Sequence, residues 1–230
     1  EESSFDAWIK LYRADENTVN TTVSYYLKGG IVAWLLDLQL REATGGNKSL
    51  DDLMRLLYTE YSGAKGFTDA QVQEAAETVA GGSLDSFFAK AVRSREELEF
   101  DQALSYLGLR FRESNEQATP WLGIEAQSVD GRLVISSVRR DGPGYEAGLN
   151  VQDELLALGG YRVTNENHLE RLSQYAPGER IELLISRFDA VRSVPIVLGS
   201  HPGNPWQLER DPNASATALA NFQSWLYQGP

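Results

Sequence analysis

The hydrophobic pattern of this chain changes period once, close to residue 112. Before that point apolar residues recur at helical spacing: Phe5, Trp8, Ile9 and Tyr12, then Leu53, Leu56, Leu57 and Tyr61, then Leu84, Phe87, Phe88, Ala91 and Val92. After it come short strand-type runs, Leu122 to Gln127, Leu133 to Val138, Leu155 to Leu158, Arg180 to Ser186 and Arg192 to Leu198, parted by Gly, Pro, Asn and Asp turns. Helices followed by strands imply an α+β chain of two domains rather than one mixed sheet. The expected layout is an all-α helical domain over 1–113 and a linker over 114–120. A partly open β-barrel or sandwich follows over 121–199, then an extended tail with a docking helix over 200–230.

Within the helical part, Val23 to Ala43 has a helical pattern that is apolar nearly all round between Ile31 and Leu38. Such a helix is buried on every side. Its entry, Ser24-Tyr25-Tyr26-Leu27-Lys28-Gly29-Gly30, reads as a glycine-punctuated loop with the tyrosines packing at the helix start, and Gly45-Gly46 closes it. Ser49 ahead of Asp51 and Asp52 caps the next helix, and Thr68 with Gln71 has capping-box spacing for a third that ends at Gly81-Gly82. Ser83 opens a fourth helix, and Glu96 to Leu107 is a short fifth. Ala214 to Leu226 is a last helix whose Leu219, Phe222, Trp225 and Leu226 need a surface to dock on, since a free helix of that length is marginal in water.

The formal net charge of −12, with no Lys/Arg cluster, argues against nucleic acid and anionic lipid as partners. The chain has no cysteine, which excludes disulfides, thiolate metal sites and a cysteine nucleophile. The longest apolar run, Ile31 to Leu40, is too short to span a bilayer and contains Asp37. The chain begins without Met, which reads as a processed or excised product. Absence of cysteine fits cytoplasm or periplasm, with the cytoplasm taken as the expectation.

Four stretches of the second half stand in a recognisable order: Trp121-Leu122-Gly123-Ile124, Gly142-Pro143-Gly144-Tyr145-Glu146-Ala147-Gly148-Leu149, Val151-Gln152-Asp153-Glu154-Leu155 and Pro177-Gly178-Glu179-Arg180-Ile181-Glu182-Leu183. Together they resemble a PDZ domain of the bacterial type, with Gln152 standing where the family has glycine. The resemblance implies peptide binding by strand addition, a peptide or protein C-terminal carboxylate being held by the N–H groups of Leu122, Gly123 and Ile124. His168 at the start of the groove helix is a further candidate ligand contact, with a merely exposed histidine as the alternative. A groove filled by the chain's own 200–230 segment is the rival arrangement.

The first half resembles the C-terminal half of the catalytic domain in the glycyl aminopeptidase family of zinc metallopeptidases. The residues that carry this are Asp6-Ala7-Trp8-Ile9-Lys10-Leu11-Tyr12, Ser24 to Gly29, Leu35 to Arg41, Ser49 to Arg55 and Gly82 to Phe88. That family has a PDZ domain directly after its catalytic domain. In its Tyr-x-Lys-Gly motif the tyrosine donates to the oxyanion formed during peptide hydrolysis, and the matching residue here is Tyr26, in Tyr26-Leu27-Lys28-Gly29. The family's His-Glu-x-x-His zinc motif is absent, since His168 and His201 have no partner at i+4. The resemblance therefore implies zinc ligands upstream of Glu1, no metal ligand in this chain and no peptidase activity for it alone. The full-length protein would be an aminopeptidase that removes N-terminal residues, small ones such as glycine or alanine. The alternative is a non-enzymatic PDZ adaptor on a helical scaffold.

Overall fold

The computed structural model describes residues 6–22, 24–113, 118–202 and 206–227. The proposed Ser4 cap, Phe5 and most of the 114–120 linker lie outside these residues. Two compact units emerge, and neither is one continuous block of sequence. One takes the described residues of Ser24–Glu113 and Trp206–Pro230, the other those of Glu2–Val23 and Ser114–Pro205.

The first unit is built on α3 (Tyr25–Ala43), with α1 (Ala7–Tyr12) and α2 (Thr18–Thr21) preceding it in sequence but belonging to the second unit. Ser24 caps α3 by accepting from the Leu27 amide, so Gly29 and Gly30 lie inside the helix rather than in a loop before it. The all-round apolarity of the helix has a simple cause. Leu36 and Leu40 pack against α4 (Leu50–Tyr61) and α5 (Asp69–Ala80), while Leu38 and Trp34 pack against α7 (Asp101–Tyr106) and α10 (Ala216–Leu226). The buried charge Asp37 is paired with Arg41 at 2.9 Å and accepts from the Leu50 amide at 2.8 Å, which fixes the start of α4 against α3. Both capping boxes form, Ser49 with Asp52 and Thr68 with Gln71, and Gly81 closes α5 in the left-handed conformation.

Three expectations need correction here. The fourth helix, α6 (Asp85–Phe87), runs at once into a π-helical turn, Phe88–Val92, and Val92 is exposed rather than on a buried face. The helix expected from Glu96 begins only at Asp101. Ser94 donates to the Lys90 carbonyl and accepts from the Glu96 amide, a local alternative to helical bonding, and Lys90 pairs with Glu99 at 2.7 Å. The unit is also not all-helical. β1 (Leu109–Glu113) pairs antiparallel with β10 (Trp206–Arg210), so the tail contributes a strand as well as the docked α10. Arg110 and Arg112 both reach Glu209 across this ladder. Gly108 turns the chain into β1, where a Cβ would lie 2.8 Å from that of Ala214.

In the second unit, β3 (Ile124–Val129), β4 (Arg132–Val138), β5 (Glu154–Leu158), β7 (Arg180–Arg187) and β8 (Ala190–Val197) form an antiparallel sheet in that order, with β6 (Tyr161–Arg162) on β5. A separate short ladder joins β2 (Pro120–Trp121) to β9 (Gly199–Ser200). The sheets stay open and close no barrel. Leu122, Ile135, Leu155, Leu183, Ile185 and Leu198 lie in one core, flanked by α8 (Pro143–Glu146) and α9 (His168–Leu172). The apolar face expected on α1 is not buried: Trp8, Ile9 and Tyr12 are 70%, 60% and 60% exposed. Among the described residues no helix is long and apolar enough to cross a membrane.

Candidate functional site

The strand β3 lies at the end of the sheet, and among the described residues no strand pairs with its outer edge. A cavity of about 310 Å³ runs beside it, between Ile124 and Ala126 on the strand and His168, Leu169 and Leu172 on α9. That is an apolar slot next to an unpaired row of backbone donors and acceptors, the geometry that strand addition needs.

The loop Leu122-Gly123-Ile124 closes one end of the slot, and its peptide planes are set by two backbone donors. The Gly144 amide donates to the Leu122 carbonyl at 2.7 Å, and the Arg139 amide to the Gly123 carbonyl at 2.9 Å. In a trans peptide the C=O and the following N–H point in opposite directions. These two bonds therefore turn the Gly123 and Ile124 N–H groups away from the body of the domain. No backbone carbonyl among the described residues accepts from the Leu122 or Gly123 amide outside the ladders. Such a row of N–H groups favours an anion.

Glycine is required at Gly123 for two reasons. Its φ is +71°, and a Cβ would sit 2.7 Å from the Gly142 Cα. Gly144 is equally crowded, with a Cβ placed 2.7 Å from Ile124 Cγ2 and 2.8 Å from the Leu122 carbonyl oxygen. Gln152, where the resemblance leads one to look for glycine, has φ +73°, the left-handed conformation that favours glycine there.

His168 lines the slot and is half-buried; its Nδ1 lies 3.1 Å from the carbonyls of Thr164 and Asn165. Two carbonyl acceptors at Nδ1 place a proton on that nitrogen. His201 lines the same slot from beyond β9, edge-on to Trp121 at 5.9 Å. Arg139 lies over the Trp121 ring and holds the Asp141 carboxyl below its ordinary range through their hydrogen bond. The wall made by Thr119, Pro120 and His201 has no local sequence signal, because residues 80 positions apart meet only through the β2–β9 ladder. Of the 200–230 segment, His201 lines the slot, while the described residues from Trp206 on belong to the other unit.

Tyr26 sits in the first turn of α3, in the other unit, and is 58% exposed. Its ring packs on that of Tyr25 at 4.3 Å between centroids and 30° between planes. Lys28, Gly29 and Gly30 beside it are exposed, and a Cβ at either glycine would meet nothing within 4 Å. A second cavity, of about 500 Å³, lies near Gln39, Glu42, Phe87 and Lys90. At 1.5 Å per residue along α3, Gln39 is about 20 Å from Tyr26, so the cavity is not part of that site. Among the described residues no three His, Asp or Glu side chains are grouped so as to hold a metal ion. The zinc that the aminopeptidase resemblance implies therefore finds no ligand set among them.

Comparison with known proteins agrees with both halves. Residues 120–198 match the PDZ domain model, and residues 1–32 match the model of the M61 glycyl aminopeptidases. The crystal structure of an aminopeptidase N family protein from Idiomarina loihiensis superposes over 98% of this chain with a TM-score of 0.83 at 24% identity. The chain spans 40% of that protein's length. The HtrA-type protease AlgW with a decapeptide matches over 37% of this chain and 30% of its own, at 20% identity and TM-score 0.36. A serine endoprotease from Yersinia pestis matches over 36% and 30%, at 21% identity and TM-score 0.33. No curated protein matches the chain. Residues 120–198 are thus a PDZ domain, residues 1–32 are similar to the M61 glycyl aminopeptidases, and the fold is shared with the aminopeptidase N family protein.

Proposed function

We propose that the groove beside β3 binds the C-terminal strand of a peptide or protein, and that the chain works within a zinc-dependent aminopeptidase. The observation that carries the first part is the pairing of an open strand edge with the oriented amides of Gly123 and Ile124 at one end of an apolar slot. In this reading the peptide adds antiparallel to β3. Its terminal carboxylate meets the N–H groups of Leu122, Gly123 and Ile124, and its last apolar side chain enters the slot. His168 faces a side chain further up the peptide.

The second part rests on the M61 match and on the Tyr26-Leu27-Lys28-Gly29 quartet. Tyr26 is the donor to the oxyanion that forms when the peptide carbonyl is attacked, and Tyr25 holds its ring. A neutral phenol suits this, because it stabilises charge that exists only in the transition state. The zinc ligands would belong to polypeptide outside this chain, and the chain alone would not hydrolyse peptides.

Fluorescence anisotropy with the full chain tests the groove. Apolar peptides with a free C-terminal carboxylate are expected to bind at least about tenfold more tightly than the same peptides amidated, a difference of about 1.4 kcal/mol. Equal affinities, or no binding, would remove the groove assignment.

A further inference from the structure

We infer that Asn20, a hundred residues before the PDZ domain, is a positioning residue for the carboxylate-binding loop, so the peptide groove is built partly from the segment that matches the peptidase family. The inference rests on the groove reading above.

The local structure around Asn20 is a closed hydrogen-bond network. Thr18 Oγ accepts from the Asp15 amide at 2.7 Å, Asp15 Oδ1 accepts from the Asn17 amide at 3.0 Å, and one turn of helix, α2, follows. The Asn20 side chain projects from that turn with every polar site used. Nδ2 donates to Asn17 Oδ1 at 3.0 Å and to the Val138 carbonyl at 2.8 Å, while Oδ1 accepts from the Arg140 amide at 2.8 Å. These three partners fix which end of the amide is oxygen.

Val138 and Arg140 are the neighbours of Arg139, the residue whose amide holds the Gly123 carbonyl. Ile124 and Val138 are cross-strand partners, and the Arg139-to-Gly123 bond makes theirs the pair whose own backbone groups point away from each other. The Ile124 N–H then faces the open edge, and the Val138 carbonyl faces the opposite side of β4. There the next strand gives no partner, since β5 pairs with β4 only at Val134–Glu154. Asn20 fills that place. Its amide acts as a short piece of strand, giving one donor and one acceptor to the end of β4. The same two bonds hold residues 138 to 140 in the conformation that aims Arg139 at the loop. Among the described residues, no backbone group outside the ladders bonds the Val138 carbonyl or the Arg140 amide, so the Asn20 side chain serves both.

The test compares free-acid and amidated peptides in the full chain with Asn20→Ala. The free-acid affinity should fall roughly tenfold while the amidated affinity stays, so the free-acid preference collapses. Asn20→Asp keeps the acceptor for the Arg140 amide but loses the donor to Val138, and should fall between. A purely structural role would lower the unfolding midpoint and leave the free-acid preference intact; that result, in either variant, overturns the role of Asn20 alone. A wild-type chain without any free-acid preference overturns both the groove reading and this inference. Should Asn20→Ala not fold, Asn20→Asp gives the same discrimination.

Discussion

Arg187 grips Asp153 through two parallel hydrogen bonds, Nε to Oδ1 and Nη2 to Oδ2, each 2.7 Å long. Asp153 is 1% exposed and takes one further bond, from the Asn150 amide at 2.8 Å. Arg187 also donates to the Gly148 carbonyl. The pair thus ties β7 to the 142–150 turn, and that turn supplies the Gly144 amide which orients Leu122. Taking away the cation strands a buried carboxylate. Arg187→Leu should lower the unfolding free energy by about 3–5 kcal/mol, read as a shift of the denaturant midpoint at constant slope. A loss below about 1 kcal/mol would place the pair among ordinary surface bridges.

Asp52 closes the capping box of α4 by accepting from the Ser49 amide at 2.9 Å. That bond, with help from Lys48, holds its carboxyl below the ordinary range. A group with a depressed folded pKa adds stability above its unfolded value, about 3.9 for Asp, and loses it as pH falls through the folded value. Asp52→Ala should therefore cost about 1 kcal/mol near neutral pH, and the gap from wild type should narrow below about pH 4. A gap that stays constant down to acid unfolding would show that the charge of Asp52 is not what caps the helix.

Gly123→Ala asks for a Cβ at φ +71° and 2.7 Å from Gly142 Cα, where the obstacle is backbone and has little room to yield. The strain of a non-glycine residue there is about 1–3 kcal/mol. The loop should move to relieve it, so loss of free-acid peptide binding by more than about tenfold is expected. Binding at wild-type strength in a folded variant would separate the loop from peptide capture.

What was legible in the sequence was local, and what was not came from distance. Ser49 with Asp52 and Thr68 with Gln71 announce helix starts because a cap and its partner lie three residues apart. The buried surroundings of Leu36 and Leu38 were readable from an apolar pattern with no polar face. The pairing of Phe111 with Leu208 was not, since a two-stranded ladder between residues 97 apart leaves no periodic trace in either short stretch. The helix pattern at Glu96 was real but lost to the Ser94 turn and the Lys90–Glu99 pair. In the groove, Gly123 and the loop were found by their motif, whereas Asn20 and His201 join it only through the fold. Trp8, Ile9 and Tyr12 show the opposite failure: their spacing is helical, yet their common face is open.

Gly29 and Gly30 lie inside α3 with open space where their Cβ atoms would be. Glycine in a helix interior costs about 1 kcal/mol relative to alanine. Nothing among the described residues compensates for that, so Gly29→Ala and Gly30→Ala should each stabilise the chain by about 0.5–1 kcal/mol in denaturant titrations. Destabilisation by either would mean that the first turns of α3 are not helical in solution. If the stabilised variants also lose activity in a longer polypeptide that hydrolyses peptides, the bare helix surface is used for close approach of substrate or of neighbouring polypeptide.

Tyr26 offers the sharpest division between the enzyme and the adaptor readings. Its ring is exposed but not loose, since Tyr25 backs it at 4.3 Å. A phenol that meets only the developing oxyanion contributes to the transition state and not to ground-state binding. In a longer polypeptide that hydrolyses N-terminal residues, Tyr26→Phe should lower kcat by about 10²–10³-fold with KM little changed. Tyr25→Leu keeps the hydroxyl but removes the ring that positions it, and should give a smaller loss, again mainly in kcat. The peptide affinity of the groove should be untouched by both variants, because neither tyrosine lines it. Near-normal turnover in Tyr26→Phe would take the residue out of the chemistry and leave the helical unit as a scaffold for a peptide-binding module.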